Sequence, residues 1–182
     1  GSSSQEDVWM ASVYLPHAGA PTAEFDVALA NLEHDVLYYQ QKPGSIVLAG
    51  DFNARVGHAD CAGVPAQLRM VAPNFGEDLV NAHGRRLLSF CANNNLQFAS
   101  GAYPDGTGPT YLGTSCATQV ASGVPGRQTT LGGGGATIID HIITSCPADP
   151  PLSPTPCFVL PREDMTGMAT DHSMLLYHSP VR

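Results

Sequence analysis

The sequence is short of cations. Only eight of its 182 residues are Lys or Arg, against sixteen Asp and Glu, for a formal net charge of −8. A tight nucleic-acid binder normally offers phosphates a basic stripe. Here the cations are scattered from Lys42 to Arg182, with one adjacent pair at Arg85 and Arg86. The acidic balance does suit a site that gathers divalent cations. No run of about 18 apolar residues occurs, so no helical membrane span is expected. The first residues carry no basic-then-apolar leader pattern and no initiator Met, which fits a tag remnant or the cut edge of a longer chain. The five cysteines, Cys61, Cys91, Cys116, Cys146 and Cys157, are odd in number and never spaced C-x-x-C. That argues against a zinc site or a disulfide framework. Reduced thiols in an intracellular setting, cytoplasmic or nuclear, are expected.

What is present is globular. Hydrophobic residues make up 43% of the chain and charged ones 13%, enough for one domain with its own core. Val8–Tyr14 (VWMASVY) reads as a strand. Thr22 can cap a following helix, with Glu24 and Asp26 in its first turn. Phe25, Leu29, Leu32 and Val36 recur at helical spacing, and Lys42-Pro43-Gly44 stops the helix. Ser45 to Ala49 (SIVLA) is a buried strand running into Gly50-Asp51-Phe52-Asn53. A second helix covers about 84–93, burying Leu87, Leu88 and Cys91. Residues 96–99, 137–144 (TIIDHIIT) and Met174–Tyr177 are further strands. Residues 101–135, rich in Gly, Thr and Ser, and 147–161, rich in Pro, read as irregular loops. The elements mix without strict alternation, which points to a layered α+β domain.

Three clusters carry chemistry. Gly50-Asp51-Phe52-Asn53 sits at a strand end, which places polar side chains on the rim of a sheet. Asp51 could activate a water or bind a metal, and Asn53 could donate to a phosphate oxygen. By itself, Asp-x-Asn after a strand is also an ordinary turn. Thr170-Asp171-His172 can divide its tasks, with the carboxylate on a metal and the imidazole on a phosphate, or can be a plain loop entering a strand. Asp140 stands inside an apolar strand. A buried carboxylate there needs a partner such as an imidazole N–H, unless it faces solvent. His141 should face the other way from Asp140. His34, His58, His83 and His178 read as surface or loop histidines, and Trp9 as core.

Taken in order, Tyr14-Leu15-Pro16-His17, the G-D-F-N of Gly50 to Asn53, Thr137-Ile138-Ile139-Asp140 and Thr170-Asp171-His172 resemble the endonuclease/exonuclease/phosphatase superfamily. Gly50 to Gly57, the Gly84, Leu87-Leu88, Phe90-Cys91 and Asn95-Leu96 spacing, and Thr110-Tyr111 look most like the endonuclease domains of non-LTR retrotransposon polyproteins. The resemblance covers 8–178 as one partial domain. It implies an α+β fold, a four-layer α/β/β/α sandwich of the DNase-like type. It implies a metal-dependent phosphodiesterase using Mg²⁺ or Mn²⁺ on nucleic acid, with DNA the first expectation. RNA, a nucleotide or a phosphoinositide is the alternative within the same chemistry, and a non-catalytic remnant or binding module is the alternative outside it. Asp51 would orient or deprotonate the attacking water. Asn53 would hold the phosphate and that Asp. His172 would contact the phosphate, and Asp140 would pair with His172. Asp171 would help bind the metal. Tyr14 would contact a phosphate oxygen, and His17, where relatives often carry Asn, would line the same groove.

The superfamily opens with an Asn-bearing strand and a Glu that is its principal metal ligand. Neither has a counterpart before Val8, and Glu6 lies too close to the Tyr14 strand to be that Glu. The expectation is a fragment of a longer polyprotein or a decayed element, inactive in this form as one outcome. Thr170 stands where relatives usually carry Ser.

Overall fold

The Val8–Tyr14 segment forms β1 as its composition requires, pairing in parallel with β2, Ser45–Asp51. The computed structural model describes residues 7–17, 19–73, 78–99 and 138–145, with the backbone of two further strands at 157–160 and 174–177. Between β1 and β2 runs helix α1, Thr22–Gln40. After β2 come a short 3-10 turn at Ala66–Leu68, helix α2 at Ala82–Asn93 and a two-residue strand β3, Gln97–Phe98. Strand β4 is Asp140–Thr144, β5 is Cys157–Leu160 and β6 is Met174–Tyr177. The main sheet has the order β1-β2-β4-β3, with β4 antiparallel to both neighbours. Strands β5 and β6 pair antiparallel as a separate ribbon, and β6 lies against β4.

Alternation decides which face of the main sheet is covered. Val13, Ile46, Leu48, Ile143 and Phe98 join one core with Phe25 and Val36 of α1 and Leu87, Leu88 and Cys91 of α2. Trp9 packs against that core half-buried, its indole N–H donating to the Pro43 carbonyl at 3.2 Å. On the other face Val47 and Ile142 form a small cluster with Ala49 and Ala99. Val8, Met10 and Tyr14 of β1 are exposed on that side. The two helices are tied by an ion pair from Arg86 to Asp26 at 2.6 Å.

Several boundaries differ from the sequence reading. Pro21, not Thr22, is the N-cap of α1, and no side chain caps the helix. A proline's fixed φ suits the extended cap residue, and it draws Thr22 into the first turn. Strand β4 begins at Asp140 rather than at 137. The Ile139 carbonyl still accepts from Phe52 N–H at 3.0 Å, but the turn at Asn53 then leads the partner chain away. The region 147–161 is not wholly irregular, because Cys157–Leu160 is a strand. Its Cys-Phe-Val-Leu run between prolines favours extended pairing. The expected loop at 101–135 lies outside the described residues.

Candidate functional site

At one end of the main sheet three strands deliver polar side chains to a single row. Tyr14 is paired with Asp51 across β1 and β2, and Asp51 with Asp140 across β2 and β4. Partners in a ladder share a face, so all three side chains project to the face away from the helices. Phe52 N–H donates to the Ile139 carbonyl and Ser145 N–H to the Ile46 carbonyl, both at 3.0 Å. Hydrogen-bonded pairs alternate from there, so Asp51 and Asp140 form a non-hydrogen-bonded pair, where Cα atoms approach to about 4.5 Å and side chains are closest. Like charges directly opposite each other are destabilising. The row is therefore a place that favours positive charge in front of it.

Each residue of the Gly50–Asn53 turn has its own physical reason. Gly50 has φ +146°, and a Cβ there would lie 2.1 Å from the Val13 carbonyl oxygen. Only glycine lets β1 and β2 approach so closely beside the site. Phe52 is fully buried and anchors the turn in the core. Asn53 has φ +49°, the left-handed region that Asn tolerates better than most residues. That conformation lets its backbone N–H donate to Asp51 Oδ1 at 2.8 Å and its Nδ2 to Asp51 Oδ2 at 3.0 Å. Nδ2 also donates to the Leu15 carbonyl at 2.8 Å, tying the turn to the end of β1. The Asp51 carboxylate is thus held by two donors of one residue.

The turn is held from behind as well. His141 faces away from Asp140, as alternation requires, and is 1% exposed. Its Nε2 is 2.8 Å from the Ala54 carbonyl, and its ring meets Phe98 edge-on. Burial pushes its pKa down from 6.5 to about 4, only partly offset by the Ala54 carbonyl. From α2, the N-cap Asn81 accepts from Gly84 N–H at 2.7 Å and from Arg55 N–H at 3.2 Å. Asn81 N–H donates to the Arg55 carbonyl at 3.0 Å. One side chain thereby caps a helix and fastens the chain just beyond the Asp51 turn.

His83, expected on the surface, is 5% exposed in the first turn of α2. Its ring stacks on Phe25 with centroids 3.7 Å apart. Burial lowers its pKa, with Arg86 and His17 acting in the same sense and the Asn53 carbonyl and Asp26 against it. His58, also read as unpartnered, meets Asp78 at 2.8 Å. Sequence spacing could not show either contact, because the partners are distant in the chain. The N-x-x-G of Asn81 to Gly84 was the available sign that this helix start docks closely.

His17 is exposed near the same rim, its Nδ1 accepting from Gly19 N–H at 3.0 Å. Asp171 and His172 lie outside the described residues, so the structure brings together Tyr14, Asp51, Asn53 and Asp140 of the expected set. Among the described residues no three His, Cys, Asp or Glu side chains converge as a metal cage. Hard carboxylate oxygens in pairs nevertheless suit Mg²⁺, which is usually bound by one or two carboxylates and completed by waters and substrate phosphates. No described helix is long and apolar enough to cross a membrane.

Comparison with protein-family models gives no match, and comparison with curated protein sequences gives none either. Solved structures do match. The 3′ phosphatase NExo from Neisseria, in a substituted form bound to product DNA hairpin, aligns with TM-score 0.60 and 18% identity, over 93% of this chain and 60% of that one. The 3′-5′ exonuclease NExo from Neisseria meningitidis gives 0.57 and 18%, over 93% and 61%. An AP endonuclease from Archaeoglobus fulgidus gives 0.57 and 16%, over 96% and 62%. The chain spans about three fifths of the length of these structures. Along almost all of its own length, it has the mixed α+β, DNase-like fold that they share.

Proposed function

We propose that this chain carries the catalytic row of a metal-dependent phosphodiesterase, a DNA endonuclease of the kind found in retroelement polyproteins. The observation that supports it is the register that sets Tyr14, Asp51 and Asp140 in one row, with Asn53 folded back onto Asp51. In this reading the domain is built as a four-layer α/β/β/α sandwich, with the helix-covered sheet as one half. The solved structures of like fold include one with a DNA product bound, which supports nucleic acid as the substrate class.

The roles follow from charge. A phosphodiester is shielded by its own anionic oxygens, so donors and a cation must face the phosphorus before water can attack. Asp51, held rigid by Asn53, orients and deprotonates the water. The Tyr14 hydroxyl donates to a phosphate oxygen and His17 lines the approach; Asn53, whose two Nδ2 hydrogens go to Asp51 and the Leu15 carbonyl, would reach a phosphate oxygen by releasing the Leu15 carbonyl. By resemblance, His172 adds a further donor with Asp140 fixing its tautomer. Asp171 and the carboxylate row would hold Mg²⁺ or Mn²⁺, which when bound neutralises charge on the phosphate. The net charge of −8 favours a second reading with the same chemistry, in which a small or flexible phosphodiester (a nucleotide, an RNA end or a phosphoinositide) replaces duplex DNA.

Nicking of supercoiled plasmid by the 182-residue chain with Mg²⁺ tests the first reading. EDTA should abolish nicking, and Asp51→Ala should slow it by about 10²–10⁴-fold. An Asp51→Ala rate equal to the parent's would sink the assignment. Hydrolysis of nucleotide, RNA or phosphoinositide without plasmid nicking would select the second reading. Inertness on every substrate, with no Mg²⁺ or Mn²⁺ heat by calorimetry, would leave a non-catalytic binding module.

A further inference from the structure

Strand β4 sends adjacent residues to opposite faces of the main sheet, and both meet the Asp51 turn. Asp140 is the ladder partner of Asp51 in the polar row, and His141 is the ladder partner of Gly50. The His141 ring is buried against Phe52 and Phe98. Its Nε2 lies 2.8 Å from the carbonyl oxygen of Ala54, 87 residues away in sequence. A carbonyl can only accept, so Nε2 carries the hydrogen and donates. A phenylalanine would meet the same two aromatic rings without the cost of burying a polar ring. Packing alone therefore gives no reason for an imidazole here, whereas the Ala54 carbonyl does. Ala54 is fully buried. Strand β2 ends at Asp51, and Asn53 at φ +49° then turns the chain away. A buried carbonyl beyond the end of a strand needs a donor from elsewhere, and His141 supplies it.

We propose that His141 is a positioning residue: by donating from β4 to the Ala54 carbonyl, it fixes the Asp51–Asn53 turn against the strand that carries Asp140, and so sets the spacing of the two carboxylates. It reaches the chemistry only through that turn. On either side of Ala54, Asn53 N–H donates to Asp51 Oδ1 and Arg55 N–H to Asn81 Oδ1, so both amides report a turn that loosens. The catalytic part of this inference rests on the phosphodiesterase reading, whereas the anchoring of the turn does not.

Two substitutions in the 182-residue chain separate the donor from the ring. His141→Phe keeps a ring and removes the donor, whereas His141→Gln keeps an N–H near the place of Nε2 and removes the ring. In His141→Phe the Asn53 and Arg55 amides should exchange about tenfold faster relative to the Val36 amide of α1 in the same sample, the loss expected for one hydrogen bond. His141→Gln should restore most of that protection, whatever its melting temperature. If the parent nicks plasmid DNA, His141→Phe should lower kcat about tenfold with KM unchanged, and His141→Gln should recover most of the rate. A side chain that only fills the core predicts the reverse order, with His141→Gln the looser and slower of the two. That order overturns the proposal. So does a His141→Phe in which the Asn53 and Arg55 amides speed up no more than Val36, a comparison that holds even where His141→Gln does not fold. If no chain shows hydrolysis, the phosphodiesterase reading fails, and the two amides still decide the role of His141.

Discussion

Single residues at this site are held to narrow requirements, and the requirements differ along the Gly50–Asn53 turn. Gly50→Ala should be severe, because the added Cβ would meet the Val13 carbonyl at 2.1 Å with φ at +146°. We expect a loss of about 3 kcal/mol or more from strain and clash together, read as a lower urea midpoint. Asn53→Gly separates shape from chemistry. Glycine adopts φ +49° easily, so the fold should survive with a change within about 1 kcal/mol. The carboxamide bonds to Asp51 and Leu15 would be gone, and hydrolysis should fall by about 10²-fold or more. His141 gives the chain a signature in acid. Its folded pKa of about 4 lies below the ordinary 6.5, so the unfolded chain binds the proton more readily. Its contribution is complete above the unfolded value and is lost as pH falls from 6.5 towards 4. Linkage over that window costs roughly 2 kcal/mol between pH 7 and pH 5. Urea titrations at the two pH values should show this loss, and His141→Phe should show less of it. Equal slopes for parent and variant would remove His141 as the cause.

Helix α2 acts as a brace, and its start is where sequence rules change sign. Glycine inside a helix is normally about 1 kcal/mol worse than alanine. At Gly84 an added Cβ would lie 1.8 Å from the Arg55 carbonyl oxygen, so Gly84→Ala should destabilise despite the gain in propensity. Asn81→Ala removes one oxygen that accepts from both Gly84 and Arg55. About 1–2 kcal/mol of stability should go with it, together with faster exchange at the Arg55 amide. A normal exchange rate there would show that the helix start does not fasten the turn. Strand β1 contributes differently. It supplies Val13 to the core and Tyr14 to the row, while its other face leaves Met10 77% exposed. In the described sheet β2 is its single strand partner.

At the scale of the whole molecule, charge and fold pull against each other. The fold is that of structures one of which holds a product DNA hairpin, yet the chain has sixteen acidic residues to eight basic ones. Binding to duplex DNA releases counterions in proportion to the phosphates that are neutralised. So few cations should give a shallow salt dependence, with a log–log slope of about −2 or smaller in magnitude. A steep slope measured by fluorescence anisotropy would mean that the few Arg and Lys side chains converge on one groove. No measurable duplex binding would favour the small phosphodiester instead.

The sequence by itself determined what is local. Strand β1, the body of α1, the buried run into Gly-Asp-Phe-Asn and the final strand could all be read from side-chain period and from breakers such as Pro43 and Gly44. Hydrophobic alternation also set His141 opposite to Asp140. What only the tertiary structure decided is non-local. Tyr14, Asp51 and Asp140 share a row because strands distant in sequence pair in one register, and nothing in the neighbourhood of Asp140 names Asp51 as its partner. The same holds for His83, which looks like a surface histidine at the start of a helix. It becomes a buried side chain because α2 docks its first turn against Phe25. Register and docking are chosen by the packing of the whole core, and a short stretch of chain carries no record of that choice.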